Sequence, residues 1–366
     1  MKKLVIVLFI AMSAFLFGEK QNIQAKSVAI NDDNFPDFYF QVFIKNSFDT
    51  NKDGKLSDKE CAAVTEINVG RPSEYRSDLE YPAPDTLEGI EFFPNLKKLY
   101  CSECYLDYLD VSKNKKLEEL FCDNNNLKQL SLKNNRKLIF LDCSYNKLTK
   151  IDLSKNNKLK KIYCIYNKLK GINVKKNNNL THLFLSYNKL KEINIKNLRK
   201  LKMFGCSDNK LKKVDITHNK NLNLFECHTN KLTKLNVSKN KSLTTLHCAN
   251  NILSKLDLSK NKLLTTFRCD GNRLLTGNVK LSRTQLTRCE AAAQKATIKM
   301  KKIGKYYYIP LPNVVGTNVI SNLSYGKLTS KGIRVKKSTL PKTITYNYNM
   351  FTDGEELTKV TIRTKK

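Results

Sequence analysis

Apolar residues return along this chain with one fixed spacing. A leucine stands at Leu96, Leu117, Leu138, Leu159, Leu180, Leu201, Leu222, Leu243 and Leu264, always 21 residues after the last, with nothing inserted or lost. Inside each unit the inner apolar positions also repeat: after Leu138 come Leu141 and Cys143, then Leu148, Ile151 and Leu153, with polar residues between them. Alternate apolar positions in each half of the unit predict a short strand in each half, with side chains pointing in and out by turns. A unit this short cannot bury its apolar face alone and must stack on its neighbours. The pattern therefore predicts a β-rich solenoid of about nine 21-residue coils, ~43 Å long at ~4.8 Å per coil, with one long parallel sheet on each side.

Two polar or soft positions keep the same period. Asparagine recurs at Asn125, Asn146, Asn167, Asn188, Asn209, Asn230, Asn251 and Asn272, where the chain leaves the first strand, and Cys104 stands at that place in the first unit. An amide that donates and accepts can satisfy backbone groups exposed by the turns of adjacent coils. Eight of the 11 cysteines, Cys101, Cys122, Cys143, Cys164, Cys206, Cys227, Cys248 and Cys269, share one position, which Leu185 fills in the fifth unit. Leucine in that slot predicts an inward site where cysteine packs as a small hydrophobe, with disulfides or a metal as the alternatives.

The full pattern, L-x-x-L-x-C-x-x-N-x-L-x-x-L-x-[VLI]-x-x-N-x-x, resembles the bacterial leucine-rich repeats of the short IRREKO class, over about half of the chain. That resemblance implies ligand binding on a repeat surface without naming the ligand.

Before and after the repeats the pattern changes. Residues 1–25 carry Lys2 and Lys3 ahead of an apolar run from Leu4 to Phe17, which reads as a secretory signal peptide and predicts a secreted, extracellular protein with no transmembrane anchor. Residues 26–95 read as an N-terminal cap, with a helix starting from Asn34 and Pro36 and an apolar run through Phe38, Phe40, Phe43, Ile44 and Phe48. Within it, Asp49 to Glu60 matches a twelve-residue calcium loop. Asp49, Asn51 and Asp53 place oxygens at alternate positions, Lys55 offers a carbonyl, Ser57 acts directly or through water, and Glu60 closes the site. The loop resembles an EF-hand, here a single one, which implies one structural Ca2+; a turn that has lost its metal is the alternative. Repeats fill 96–284, and 285–366 read as closure of the solenoid followed by a small β domain of immunoglobulin-like strand spacing.

Charge adds a second candidate chemistry. The chain holds 66 Lys and Arg against 33 Asp and Glu, a formal charge of +33 that attracts polyanions at low salt. Exposed lysines also keep the repeat period, at Lys147, Lys168, Lys189, Lys210 and Lys231. No zinc-protease helix, phosphate loop or nucleophile elbow occurs, and the four histidines lack ligand spacing, so the residues point away from an enzyme.

The fold leaves only its outward positions free to select a partner. In the first five units these carry Tyr100, Phe121, Phe140, Tyr163 and Phe184, with Tyr145, Tyr166 and Tyr187 beside them. Two readings follow: an interaction or adhesion protein that holds a protein partner on this aromatic face, or an anionic glycan or nucleic acid bound along the lysine ladder. Stacking that merely stabilises an exposed sheet also explains the aromatic run.

Overall fold

A computed structural model describes residues 27–70 and 83–274 continuously, and beyond them 279–281, 288–290, 294–299, 301–303, 306–309, 320–321, 323–324, 327–329, 332–336, 341–349 and 357–365. The signal-peptide segment, 1–25, lies outside the described residues.

Nine three-residue strands, from Lys98–Tyr100 to Thr266–Arg268, follow one another every 21 residues and pair in parallel, each with the next. Eight full coils separate them. The middle residue of each strand points inward, and Leu99, Leu120, Leu141, Ile162, Leu183, Phe204, Phe225, Leu246 and Phe267 form one buried column. The leading leucines form a second buried column and the cysteines a third. All ten cysteines described are buried thiols outside any disulfide. Burial holds the thiols of Cys101 and Cys122 well above the ordinary range, and the close Cys164 thiol does the same for Cys143, at 3.0 Å.

Each buried asparagine of the first ladder joins two coils. Asn146 accepts the Leu127 N–H at 2.9 Å and donates to the Cys122 carbonyl at 2.9 Å, both in the preceding coil. Asn125, Asn167, Asn188, Asn209, Asn230, Asn251 and Asn272 repeat the arrangement. Past Asn272 the role passes to Gln294, which accepts from Leu274 N–H at 3.0 Å and donates to the Cys269 carbonyl at 2.9 Å.

The expected second long sheet does not form among the described residues. On that side Leu256–Leu258 pairs only with Val279–Leu281. Asp110, Asp152 and Asp215 each accept the N–H two residues on, closing a local turn there, and Asp257 keeps the same bond inside the one strand that forms. Two further tight turns follow, as in Asn156 N–H to Leu153 O and Leu159 N–H to Asn156 O. They enclose a second asparagine ladder, Asn114, Asn135, Asn156, Asn177, Asn219, Asn240 and Asn261, which donates to carbonyls of the preceding coil. Leu198 takes that place in the fifth coil, fully packed.

At the N-terminal end the strand Glu66–Asn68 pairs with Lys98–Tyr100 and covers the first coil. The cap helix runs Phe38–Phe48. Its N-cap is Asp37, not Asn34, because the Asp37 carboxylate accepts Phe40 N–H at 2.7 Å. At the other end Arg288–Glu290 continues the sheet beside Thr266–Arg268. Beyond it, the strands arrange as two four-stranded sheets, one holding Ile333 and Val335 in its buried face and the other Ile344, Tyr346, Val360 and Ile362.

The two asparagine ladders predict different costs for the same change. Removing Asn146 leaves the Leu127 N–H without an acceptor. Asn156 only donates, to carbonyls that keep a backbone bond, and its own buried oxygen is unpaired. Asn146→Leu should therefore destabilise by about 2–3 kcal/mol and Asn156→Leu by less than about 1 kcal/mol, measured by urea unfolding.

Candidate functional site

The parallel register decides which outward side chains meet. Tyr100, Phe121, Asp142, Tyr163 and Phe184 occupy one position in five successive strands. Phe140 belongs to the neighbouring column, aligned with Glu119 and Lys161, two residues earlier in its strand. Its ring nevertheless lies 4.3 Å from that of Phe121 and 5.7 Å from that of Tyr163, and so spans the gap that Asp142 leaves between them. Tyr100 stacks on Phe121 at 4.6 Å and Tyr163 on Phe184 at 5.2 Å, which makes a continuous half-buried platform. It ends at Gly205, where a Cβ would meet the Phe184 ring at 2.6 Å.

Beside this platform Tyr145, Tyr166 and Tyr187 stack at 4.7 Å and 4.0 Å, and they stay 49%, 43% and 40% exposed. Their backbones are left-handed, with φ of 52°, 50° and 57°. Asn124, Asp208, Asn250 and Gly271, residues that adopt this conformation readily, hold the same position in four other coils, and Glu103 and Thr229 hold it in the remaining two. The turn therefore does not call for tyrosine, and three large rings stand where the backbone prefers small polar residues. The presence of Asn, Asp and Gly at this position was the available signal for the turn.

Asp142 is the polar group that the sequence reading passed over. Burial raises its carboxyl to about 6 from an ordinary 3.8, the Ser144 N–H and side chain pull it down, and Asp123 adds to the rise. In coils six to nine the same column changes character, with Gly205, Glu226, His247 and Arg268. There His247 meets Glu226 at 3.2 Å and His228 meets Asp208 at 3.4 Å. These pairs are local, and among the described residues no three acidic, histidine or cysteine side chains converge as a metal cluster.

The lysine ladder is placed on the turn beside the tyrosines. Lys147, Lys168, Lys189, Lys210 and Lys231 are all exposed, and each backbone N–H donates to the preceding coil, as in Lys147 to Leu127 O at 2.9 Å. None of the described ion pairs includes their ammonium groups.

The loop from Asp49 to Glu60 sits between the helix Phe38–Phe48 and the short helix Asp58–Ala63. Asp49 accepts Gly54 N–H at 3.0 Å, Asn51 accepts Asp53 N–H at 3.1 Å, and Asp53 accepts Lys55 N–H at 2.9 Å, so the oxygens turn toward the inside of the loop. Gly54, at φ 77°, makes the sharp bend. Lys55–Leu56 pairs antiparallel with Val28–Ala29, which takes the place a second hand would fill. The donor set is all oxygen, which suits a hard divalent cation. Glu60, however, already accepts from Thr50 through Oε1 and from Ser57 through Oε2, and these bonds, with the Thr50 side chain first, lower its carboxyl to about 2.

No known family profile matches the chain, and no curated protein matches its sequence. Solved structures do. The functional domain of InlJ from Listeria monocytogenes, described as including a cysteine ladder, is 21% identical with a TM-score of 0.57, over 93% of this chain and 99% of that one. The fold is that of a leucine-rich-repeat solenoid. An internalin, inlF, from the same species aligns over 74% of this chain and 100% of its own at 15% identity and a TM-score of 0.40. The plant peptide hormone receptor RGFR1, solved in complex with RGF2, is 25% identical with a TM-score of 0.51, over 59% of this chain and 38% of that one. These neighbours are two internalin-type bacterial proteins and one plant receptor, and no helix among the described residues is long and apolar enough to cross a membrane.

The raised carboxyl of Asp142 has a defined effect on stability. Its folded value lies above its unfolded one, so its contribution is full below about pH 4 and is lost as the pH rises through about 6. Asp142→Asn should raise the unfolding midpoint at pH 8, by about 1–2 kcal/mol in stability, and leave it unchanged at pH 3.5 in thermal melts.

Proposed function

We propose that this is a secreted protein that holds a protein partner on the aromatic half of its strand face, with one structural calcium ion in its N-terminal loop. The observation that carries the first part is the tyrosine ladder: Tyr145, Tyr166 and Tyr187 are exposed, and they occupy a left-handed turn that Glu103, Asn124, Asp208, Thr229, Asn250 and Gly271 fill in the other coils. Large amphipathic rings gathered on a rigid face are what protein interfaces favour. The receptor RGFR1, of related fold, was solved holding RGF2, which supports a repeat surface as a ligand platform.

In the calcium reading, Asp49, Asn51, Asp53, the Lys55 carbonyl, Ser57 and Glu60 hold the ion. The loop is already wound around its oxygens, and Glu60 exchanges its Thr50 and Ser57 donors for the cation. Such an ion would brace the cap that covers the first coil. Calorimetry should give a calcium-binding heat that Glu60→Ala removes; a protein with no calcium heat ends this part.

The lysine ladder favours a second reading, capture of an anionic polymer, because its five ammonium groups stand exposed and in line. Salt separates the two. Capture through the rings should change less than threefold between 50 and 300 mM salt and fall at least tenfold in Tyr163→Ala/Phe184→Ala, whereas capture of a polyanion should collapse with salt and ignore that change.

A further inference from the structure

Within the proposed partner face, Asp142 is the one feature that a purely apolar contact does not explain. It stands in the column of Tyr100, Phe121, Tyr163 and Phe184, so a carboxylate interrupts a run of rings, with the Phe140 ring spanning the gap. We infer that Asp142, with Phe121, Phe140 and Tyr163 around it, is the seat of a guanidinium group, and that the partner inserts an arginine side chain there. The inference rests on the reading of the aromatic face as a partner surface.

Charge complementarity selects the occupant. An aliphatic group set on this platform would strip water from the carboxylate and return nothing, and an anion would be repelled by Asp142 and Asp123 together. A cation gains from both components of the site, the faces of the rings and the carboxylate. A guanidinium fits better than an ammonium, because its flat face stacks on an aromatic ring while its N–H fork reaches an oxygen at the edge. The Ser144 N–H, at 2.9 Å, fixes one oxygen of Asp142 in place.

None of the described residues fills this site with a cation. The chain carries 66 Lys and Arg, yet among the described residues no ion pair includes Asp142. Ser144 draws the carboxyl down and Asp123, from the coil before, pushes it up; Cys122, Cys143 and Tyr163 lie near enough to feel the charge of Asp142, and none of these five groups is a cation. Glu119 and Lys161, aligned with Phe140, offset each other on the neighbouring column. Burial already makes the charged form of Asp142 unfavourable in the free protein, so an incoming cation relieves a cost that is present before binding.

The test titrates the isotope-labelled protein with Nα-acetyl-arginine amide and with the uncharged Nα-acetyl-norleucine amide, following the phenylalanine and tyrosine ring resonances by NMR. At pH 7.5 the arginine probe should bind at least tenfold more tightly than the norleucine probe. That preference should vanish in Asp142→Asn, whose unliganded ring spectrum serves as the folding control, and vanish in the unaltered protein at pH 4.5. Equal binding of the two probes overturns the inference and leaves an apolar partner face standing. An arginine preference that survives Asp142→Asn overturns it as well, since the cation then sits elsewhere. Rings that respond to neither probe also overturn it, while the aromatic face as a whole is judged separately by partner capture in Tyr163→Ala/Phe184→Ala.

Discussion

Everything in this molecule depends on a hydrogen bond that a strand cannot make for itself. When the chain leaves each short strand it exposes an N–H, and the next coil answers with an asparagine amide, as Asn146 answers Leu127. An unanswered donor at that depth is costly, so the amide and the backbone it serves must keep one spacing. The period of 21 is the result. An insertion inside a coil would separate an amide from its target and uncover a leucine at once. The ladder ends only where another group takes over the same bonds, which Gln294 does after Asn272.

Much of this frame was legible in the residues. Leucines, cysteines and asparagines at one spacing specify buried columns and ties between coils, because each residue type has one satisfactory environment there. The back of the coil was misread. Alternation at Leu148, Ile151 and Leu153 looks like a strand, but among the described residues that side of the coil pairs with a neighbour only at Leu256–Leu258. The site was half legible. The aromatic residues stood out, but placing Phe140 and Asp142 in their columns needs the register between strands, and only the register reveals that one carboxylate interrupts a run of rings.

Because the frame absorbs nearly every inward side chain, the departures from repetition carry the function. The first five coils put rings on the outward face, and the later coils replace them with Gly205, Glu226, His247 and Arg268 in the same column. The two halves share a backbone and differ in chemistry. The sheet ends in Glu66–Asn68 on one side and Arg288–Glu290 on the other, and the chemical difference between its halves lies on the strand face between them.

The central claim is that binding belongs to the aromatic half of this face. Tyr166 and Thr229 occupy the same left-handed turn position three coils apart, both exposed, so a photo-crosslinking residue placed at either one reports on the two halves with the same backbone geometry. With the partner present, the account predicts a covalent adduct from position 166 and none above background from position 229. Equal adducts from both, or an adduct from 229 alone, would contradict it.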